Sequence, residues 1–214
     1  MIDIETTRAQ LKAAAERADL SPSAAKNIDS WLTEPHFEEY SQQVAEHVAA
    51  GRFKELDNAF WTIIPFGTGG RRGRMYPIGC NAINDRTIGE SAQGLADYMK
   101  EQVRGKSLAC AIAYDTRHRS RQFAELCAEI MTAAGFMVYF LDGYRSTPEL
   151  SFAVRFKDCD CGIMITASHN PPSDNAVKVY GPSGGQFVPP HDKDSIARIA
   201  AASMGATIWP PVSQ

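Results

Sequence analysis

From residue 60 onward the chain alternates short apolar runs with amphipathic stretches of helical length, and few folds accept that rhythm. SLACAIAYD (107–115), FMVYFLD (136–142) and CGIMIT (161–166) are continuous apolar runs of strand length. A strand buried on both faces reads this way, without polar alternation. Between the runs, residues 87–103 set Ile88, Ala92, Leu95, Ala96, Met99 and Val103 on one helical stripe. Residues 120–134 do the same with Phe123, Leu126, Cys127, Ile130 and Met131, and Gly135 ends the stretch. Thr147-Pro148 predicts the start of a helix to about 156, and 192–202 predicts a last one. AVKVY (176–180) predicts a fourth strand, shorter and nearer an edge. The pattern predicts an α/β fold: a three-layer α/β/α domain on a mostly parallel, mixed sheet. Such sheets bind ligands at the carboxyl ends of their strands.

The first 60 residues have a different character. They carry 6 Lys/Arg against 11 Asp/Glu, while residues 61–214 carry 16 against 14. Thr6 or Thr7 is expected to cap a helix to about 18, Ser21-Pro22 opens a second to about 31, and a third runs over 35–50 with Gly51 as its stop. The expected organisation is a helical N-terminal extension (1–59), the α/β domain (60–206) and a tail or linker (207–214). Net charge −3 and 44% hydrophobic residues fit a globular protein and exclude disorder as the main state. Neither charge balance suggests nucleic-acid binding. No apolar run is long enough to span a membrane, and the acidic N-terminus lacks the apolar region of a secretory signal. Five cysteines, with Cys159 and Cys161 spaced C-x-C, argue for reduced, mostly buried thiols in a cytoplasmic setting and against a zinc site.

Three polar loops follow apparent strands: FGTGGRRGRM (66–75), YDTRHRS (114–120) and TASHNPPSDN (166–175). They are expected to converge at one edge of the sheet. In the first, glycines free the backbone to aim N–H groups at an anion, and Arg71, Arg72 and Arg74 offer planar forks that match phosphate. The same loop would also serve as a surface turn with solvated arginines. In the second, Asp115 and Arg117 either fix the loop or contact phosphate, and Ser120 is placed to cap the next helix. In the third, Asn170-Pro171-Pro172 forces the chain to turn just after Ser168 and His169, exposing the serine. A serine there suggests a nucleophile or a phosphorylated residue. A G-x-S-x-G elbow is absent, and adjacent side chains point apart, so His169 is a poor base for Ser168. Both features argue against a serine hydrolase using this pair.

The stretch GIMITASHNPPSDNAVKVYGPSGGQ resembles the active-site signature of the α-D-phosphohexomutases, the phosphoglucomutase and phosphomannomutase family. FGTGGRRG, YDTRHRSRQFAE, STPELSFAV and PPHDKDSIARI are similar to other segments of that family's first domain, in the family's order, over about 60–205. The acidic helices resemble the N-terminal extension of its longer phosphoglucomutase/phosphopentomutase-like branch. The resemblance implies that Ser168 is a phosphoserine. It would pass its phosphoryl group to a sugar hydroxyl through a bisphosphate intermediate. Magnesium would sit on that phosphoryl group. Lys178 corresponds to the family's general acid/base, Arg72 to the arginine near the transferring group, and His169 to a supporting histidine. Thr68, Gly70, Arg72, Arg117 and Asn170 are the implied phosphate- and substrate-binding residues. Hexose phosphates such as glucose 1-phosphate, glucose 6-phosphate and the 1,6-bisphosphate are the implied substrates, with no nucleic-acid or membrane partner.

Two departures qualify the resemblance. Ala176 stands where the family usually has glycine, which removes backbone freedom. No D-G-D-x-D-R metal motif occurs: Asp142-Gly143 is followed by Tyr144, and Asp158-Cys159-Asp160 lacks the glycine. The chain is thus expected to be an N-terminal fragment, a truncation or a stand-alone domain. It is expected to be inactive without the missing downstream domains. The alternative is a non-catalytic sugar-phosphate-binding or regulatory domain that keeps the fold.

Overall fold

The computed structural model describes residues 3–67, 70–103 and 105–187. Thr68, the predicted helix at 192–202 and the tail lie outside them. The described residues form two compact units, those within 1–64 and 76–84, and those within 65–75 and 85–187.

The first unit is helical: α1 (Ile4–Glu16), α2 (Pro22–Thr33), a 3-10 turn (Pro35–Phe37), α3 (Glu38–Ala49) and α4 (Phe53–Phe60). Ser21 caps α2 as expected, accepting from the Ala24 N–H, with Pro22 at the first helical position. The cap of α1 is Asp3 and not Thr6 or Thr7; its carboxylate accepts from the Thr6 N–H. Aspartate there also meets the positive helix end. The α4 helix had no counterpart in the predicted elements. Trp31 is the hub of this core, stacked on Phe37 at 4.6 Å between ring centres and edge-on to Phe60 at 5.2 Å. Leu11, Ile28, Val44, Leu56 and Ile78 close around it.

The second unit contains β1 (Gly70–Arg74), α5 (Asp85–Gln102), β2 (Ala109–Tyr114), α6 (Ser120–Ala133), β3 (Met137–Phe140), α7 (Thr147–Phe156), β4 (Cys161–Ile165) and β5 (Asp174–Tyr180). The five strands lie in the order β1-β5-β4-β2-β3. Pairing is parallel for β2 with β3 and with β4, and antiparallel for β5 with β4 and with β1. Four strands therefore run one way and β5 runs against them, giving the expected mixed sheet. Ala111, Ala113 and Met164 meet Leu150 and Val154 of α7. By strand alternation Cys110 and Ile112 turn to the other face, where α6 packs on β2 and against α5. That is the three-layer α/β/α arrangement.

Three strand expectations change. FMVYFLD, read as buried on both faces, forms the terminal strand β3, with Met137 exposed and Val138 to Phe140 only half-buried. The run before residue 66 forms no strand; the strand is Gly70–Arg74, inside what reads as a polar loop. And β5, at 7 residues, is the longest described strand, not a short one. It is one place in from the edge, covered by β1. All five cysteines are free thiols, and burial pushes Cys127 up to about 12.

Gly162 of β4 shows how tightly α7 sits on the sheet. A Cβ there would lie 2.6 Å from Val154 Cγ2 and 3.4 Å from the Ala111 carbonyl oxygen. Valine cannot swing aside in a helix, because its χ1 is nearly fixed. We predict that Gly162→Ala destabilises the domain by about 1–3 kcal/mol, the usual cost of overpacking. Adding Val154→Ala should recover part of that loss. Thermal melts of the two single variants and the double variant test this; additive losses would contradict the packing account.

Candidate functional site

The hairpin between β4 and β5 carries the site. Register pairs Ile165 with Val177 and Met164 with Lys178, so the eight-residue connection 166–173 leaves and re-enters adjacent antiparallel strands. The Thr166 N–H closes its base on the Ala176 carbonyl at 3.1 Å, and Asn170 N–H turns back to the Ala167 carbonyl at 3.1 Å. Ser168 sits in this turn with φ +56°, a left-handed backbone that serine rarely adopts. Its N–H donates to Thr166 Oγ1 at 2.9 Å. Its side chain is exposed, and Lys178 Nζ donates to Ser168 Oγ at 2.6 Å.

Lys178 reaches the serine because of strand register. It pairs across β1 with Gly70, and Arg72 pairs with Ala176. Cross-strand partners share a face and residues two apart return to it, so Arg72 and Lys178 lie on the same face. Gly70 is needed there: a Cβ would collide with the Val177 carbonyl oxygen. Ala176 sits in regular antiparallel pairing and is not among the positive-φ residues. The loss of glycine at 176 therefore costs this strand no backbone geometry. Burial, and then the positive charge of Arg72, hold Lys178 below the usual lysine range; Arg117 adds to this and Asp115 opposes it.

The remaining expected site residues fare differently. His169 is exposed beside Ser168 and has no hydrogen bond or ion pair among the described residues. Asn170 spends its amide inside the loop, on Asp174 Oδ2 at 2.9 Å. Arg117, expected to bind phosphate, meets carbonyls instead. Its Nη1 donates to Pro171 O at 2.8 Å and Asp174 O at 3.1 Å, and its Nη2 to Ser168 O and Asn170 O, both at 2.7 Å. All four terminal N–H groups are thereby used, which leaves a phosphate to compete for them. Ser120 does not cap α6 either. Arg119 is the capping position, and the Ser120 hydroxyl donates to Asp115 Oδ1 at 2.7 Å.

Magnesium, which the resemblance implies, finds few oxygens here. Asp115 already accepts from the Arg117 N–H and from Ser120, and Asp174 accepts from Asn170 and Ser173. Among the described residues no cluster of three or more His, Cys, Asp or Glu is placed to hold a metal ion. The described side chains alone do not make a magnesium site. Nor is any described helix long and apolar enough to cross a membrane.

An α/β/α domain with a turn-borne serine, met by a lysine of the following strand, at one end of a mixed sheet defines the class. The family described as phosphoglucomutase/phosphomannomutase, alpha/beta/alpha domain I, matches residues 64–205, and the chain belongs to it. It is 42% identical over 144 residues to a phosphoglucomutase of Staphylococcus haemolyticus, covering 67% of this chain and 25% of that protein. It is 34% identical over 181 residues to a Schizosaccharomyces pombe protein assigned as a phosphoribomutase, covering 84% of this chain and 31% of that protein. The chain thus spans about a quarter to a third of the length of these relatives. Among solved structures, a Thermus thermophilus protein assigned as a phosphomannomutase superposes with a TM-score of 0.58 at 30% identity, over 64% of this chain and 30% of that one.

The lysine makes a testable electrostatic statement. A lysine with a lowered pKa gives up its proton earlier in the folded state than in the unfolded chain. The unfolded state then binds more protons in the window between the two values, so stability contributed by Lys178 rises with pH there. We predict that Lys178, followed by NMR of its side-chain nitrogen, titrates below ordinary lysine. Arg72→Met should raise that titration without restoring it fully, since burial is the larger cause. No movement on removing Arg72 would contradict the shared-face geometry.

Proposed function

We propose that this chain carries the phosphoryl-bearing serine of a phosphohexomutase, moving a phosphoryl group between the 1- and 6-positions of a hexose phosphate. The observation that carries the reading is the contact of Lys178 Nζ with Ser168 Oγ at 2.6 Å. Support also comes from the family match over residues 64–205. Glucose phosphates are the proposed substrates.

The residues suit the chemistry. Phosphoryl transfer asks for positioning and charge neutralisation more than for covalent assistance. A serine hydroxyl is a weak nucleophile near neutral pH and needs an acceptor for its proton. Lys178, held below the usual lysine range, is more readily neutral than an exposed lysine, and its nitrogen touches the oxygen concerned. When the serine takes a phosphoryl group from a sugar bisphosphate, the Ser168 Oγ–P bond forms and the sugar O–P bond breaks. The Oγ proton passes to Lys178 Nζ, and the departing sugar oxygen is protonated from solvent. In the reverse direction the ammonium returns that proton to Oγ as the serine leaves. Arg72, exposed on the same face, offsets the charge of the phosphoryl oxygens. Magnesium, held by ligands outside the described residues, would add charge neutralisation at the phosphoryl group.

The test is Ser168→Ala in the natural full chain. We predict an unchanged fold, because the serine side chain is exposed and alanine at φ +56° bears about the same backbone cost that serine already bears. Turnover should nearly vanish, because alanine offers no oxygen to carry the phosphoryl group. Measuring the melting temperature and turnover on one sample separates carrier from turn-former. A lowered melting temperature with turnover intact would end the proposal and favour a sugar-phosphate-binding domain.

A further inference from the structure

The geometry points to Arg117 as a positioning residue for transfer at Ser168. Its guanidinium bridges four carbonyls of the 168–174 loop and holds the serine in the backbone conformation that aims its hydroxyl at Lys178. This inference rests on the reading of Ser168 as the phosphoryl carrier.

The loop has a structural problem to solve. Ser168 is at φ +56°, where an ordinary side chain costs about 1–2 kcal/mol per residue. Such conformations persist only where the surroundings over-determine them. Two of the following residues, Pro171 and Pro172, have no N–H to contribute. The loop therefore has more backbone acceptors than donors, and its carbonyls need a donor from elsewhere in the chain. Arg117 is that donor. Its contacts fall on the carbonyl of the serine itself, on Asn170 and Pro171 in the turn, and on Asp174 at the start of β5. Entrance and exit of the loop are tied to one planar group.

That group is itself held. The guanidinium Nε lies 3.5 Å from Asp115 Oδ2, and the Arg117 backbone N–H donates to Asp115 Oδ1 at 3.0 Å. Asp115 is anchored in turn by the Ser120 hydroxyl at 2.7 Å, and its own N–H donates to the Ile165 carbonyl at the end of β4. Asn175, fully buried in β5, closes the circuit through Nδ2 to Ser120 Oγ at 3.0 Å and to the His118 carbonyl at 3.1 Å. The 115–120 loop and the 166–175 loop are thus one hydrogen-bonded body. Only arginine has a rigid fork able to serve four acceptors. Lysine presents a single nitrogen with three donors.

The experiment compares Arg117→Lys with Arg117→Met in the natural full chain, reading kcat, KM for hexose phosphate and the melting temperature. Lysine keeps the charge and loses the fork. A displaced serine costs transition-state alignment, so kcat should fall about tenfold to a hundredfold in both variants while KM stays within about threefold. A residue that only binds substrate phosphate would raise KM and let lysine substitute. Asp115→Asn, which removes the carboxylate behind Arg117, should show the same kcat-selective loss in milder form and stands in if an Arg117 variant misfolds. Wild-type kcat in Arg117→Lys, a loss carried by KM, or collapse of the fold in all three variants would overturn the inference. Loss of activity in Ser168→Ala beside wild-type kcat in Arg117→Lys would sink this inference alone. Activity retained in Ser168→Ala would sink the reading beneath it.

Discussion

The antiparallel return of β5 against β4 is the constraint on which the site depends. A parallel neighbour would need a crossover of a dozen or more residues, so the serine loop would have no fixed partner strand. Because β5 comes straight back, the residues after Ser168 re-enter the sheet in register with the residues before it. Met164 faces Lys178, and the lysine arrives under the serine hydroxyl. A one-residue slip would turn Lys178 to the opposite face. The β1 strand guards against such slippage from the other side, pairing Gly70 through Arg74 with Lys178 back through Asp174.

That arrangement accounts for the mixture of rigid and polar parts. The strands β2 and β4 are buried along almost their whole length, between α7 on one face and α6 on the other. The loops at their carboxyl ends stand on this frame and hold each other by side-chain to backbone bonds. Ser168 is exposed but not free: its backbone is pinned by Thr166 and Arg117, and its hydroxyl by Lys178. Preorganisation of this kind is what phosphoryl transfer asks of a protein.

Much of this was legible in the chain. SLACAIAYD and CGIMIT read as buried strands because they carry no polar alternation, and Pro171-Pro172 marks where the chain must turn. Ser21-Pro22 marks a helix start for a physical reason that survives folding. Other parts were not. GRRGR has no strand periodicity, and it becomes β1 because its backbone completes the edge of β5 at a point where Gly70 alone fits. The α4 helix, FKELDNAF, is 8 residues long and lacks a side-chain cap, so only packing of Leu56 and Phe60 under Trp31 defines it. Thr147-Pro148 does open α7, but the reciprocal cap of Ser146 with Glu149 just before it gave no separate signal. Arg117 reads as a site residue, but its role is hidden in the sequence. An arginine whose acceptors are carbonyls some 51–57 residues away leaves no pattern in the sequence.

The central claim is that Ser168 is the atom store for a phosphoryl group. Phosphopeptide mapping by mass spectrometry tests it most directly, on the natural full chain pulsed with isotopically labelled hexose 1,6-bisphosphate and chased with unlabelled hexose 6-phosphate. The account predicts label on Ser168 alone after the pulse, and its return to sugar during the chase. Label on another residue, or label on Ser168 that does not chase, would contradict it.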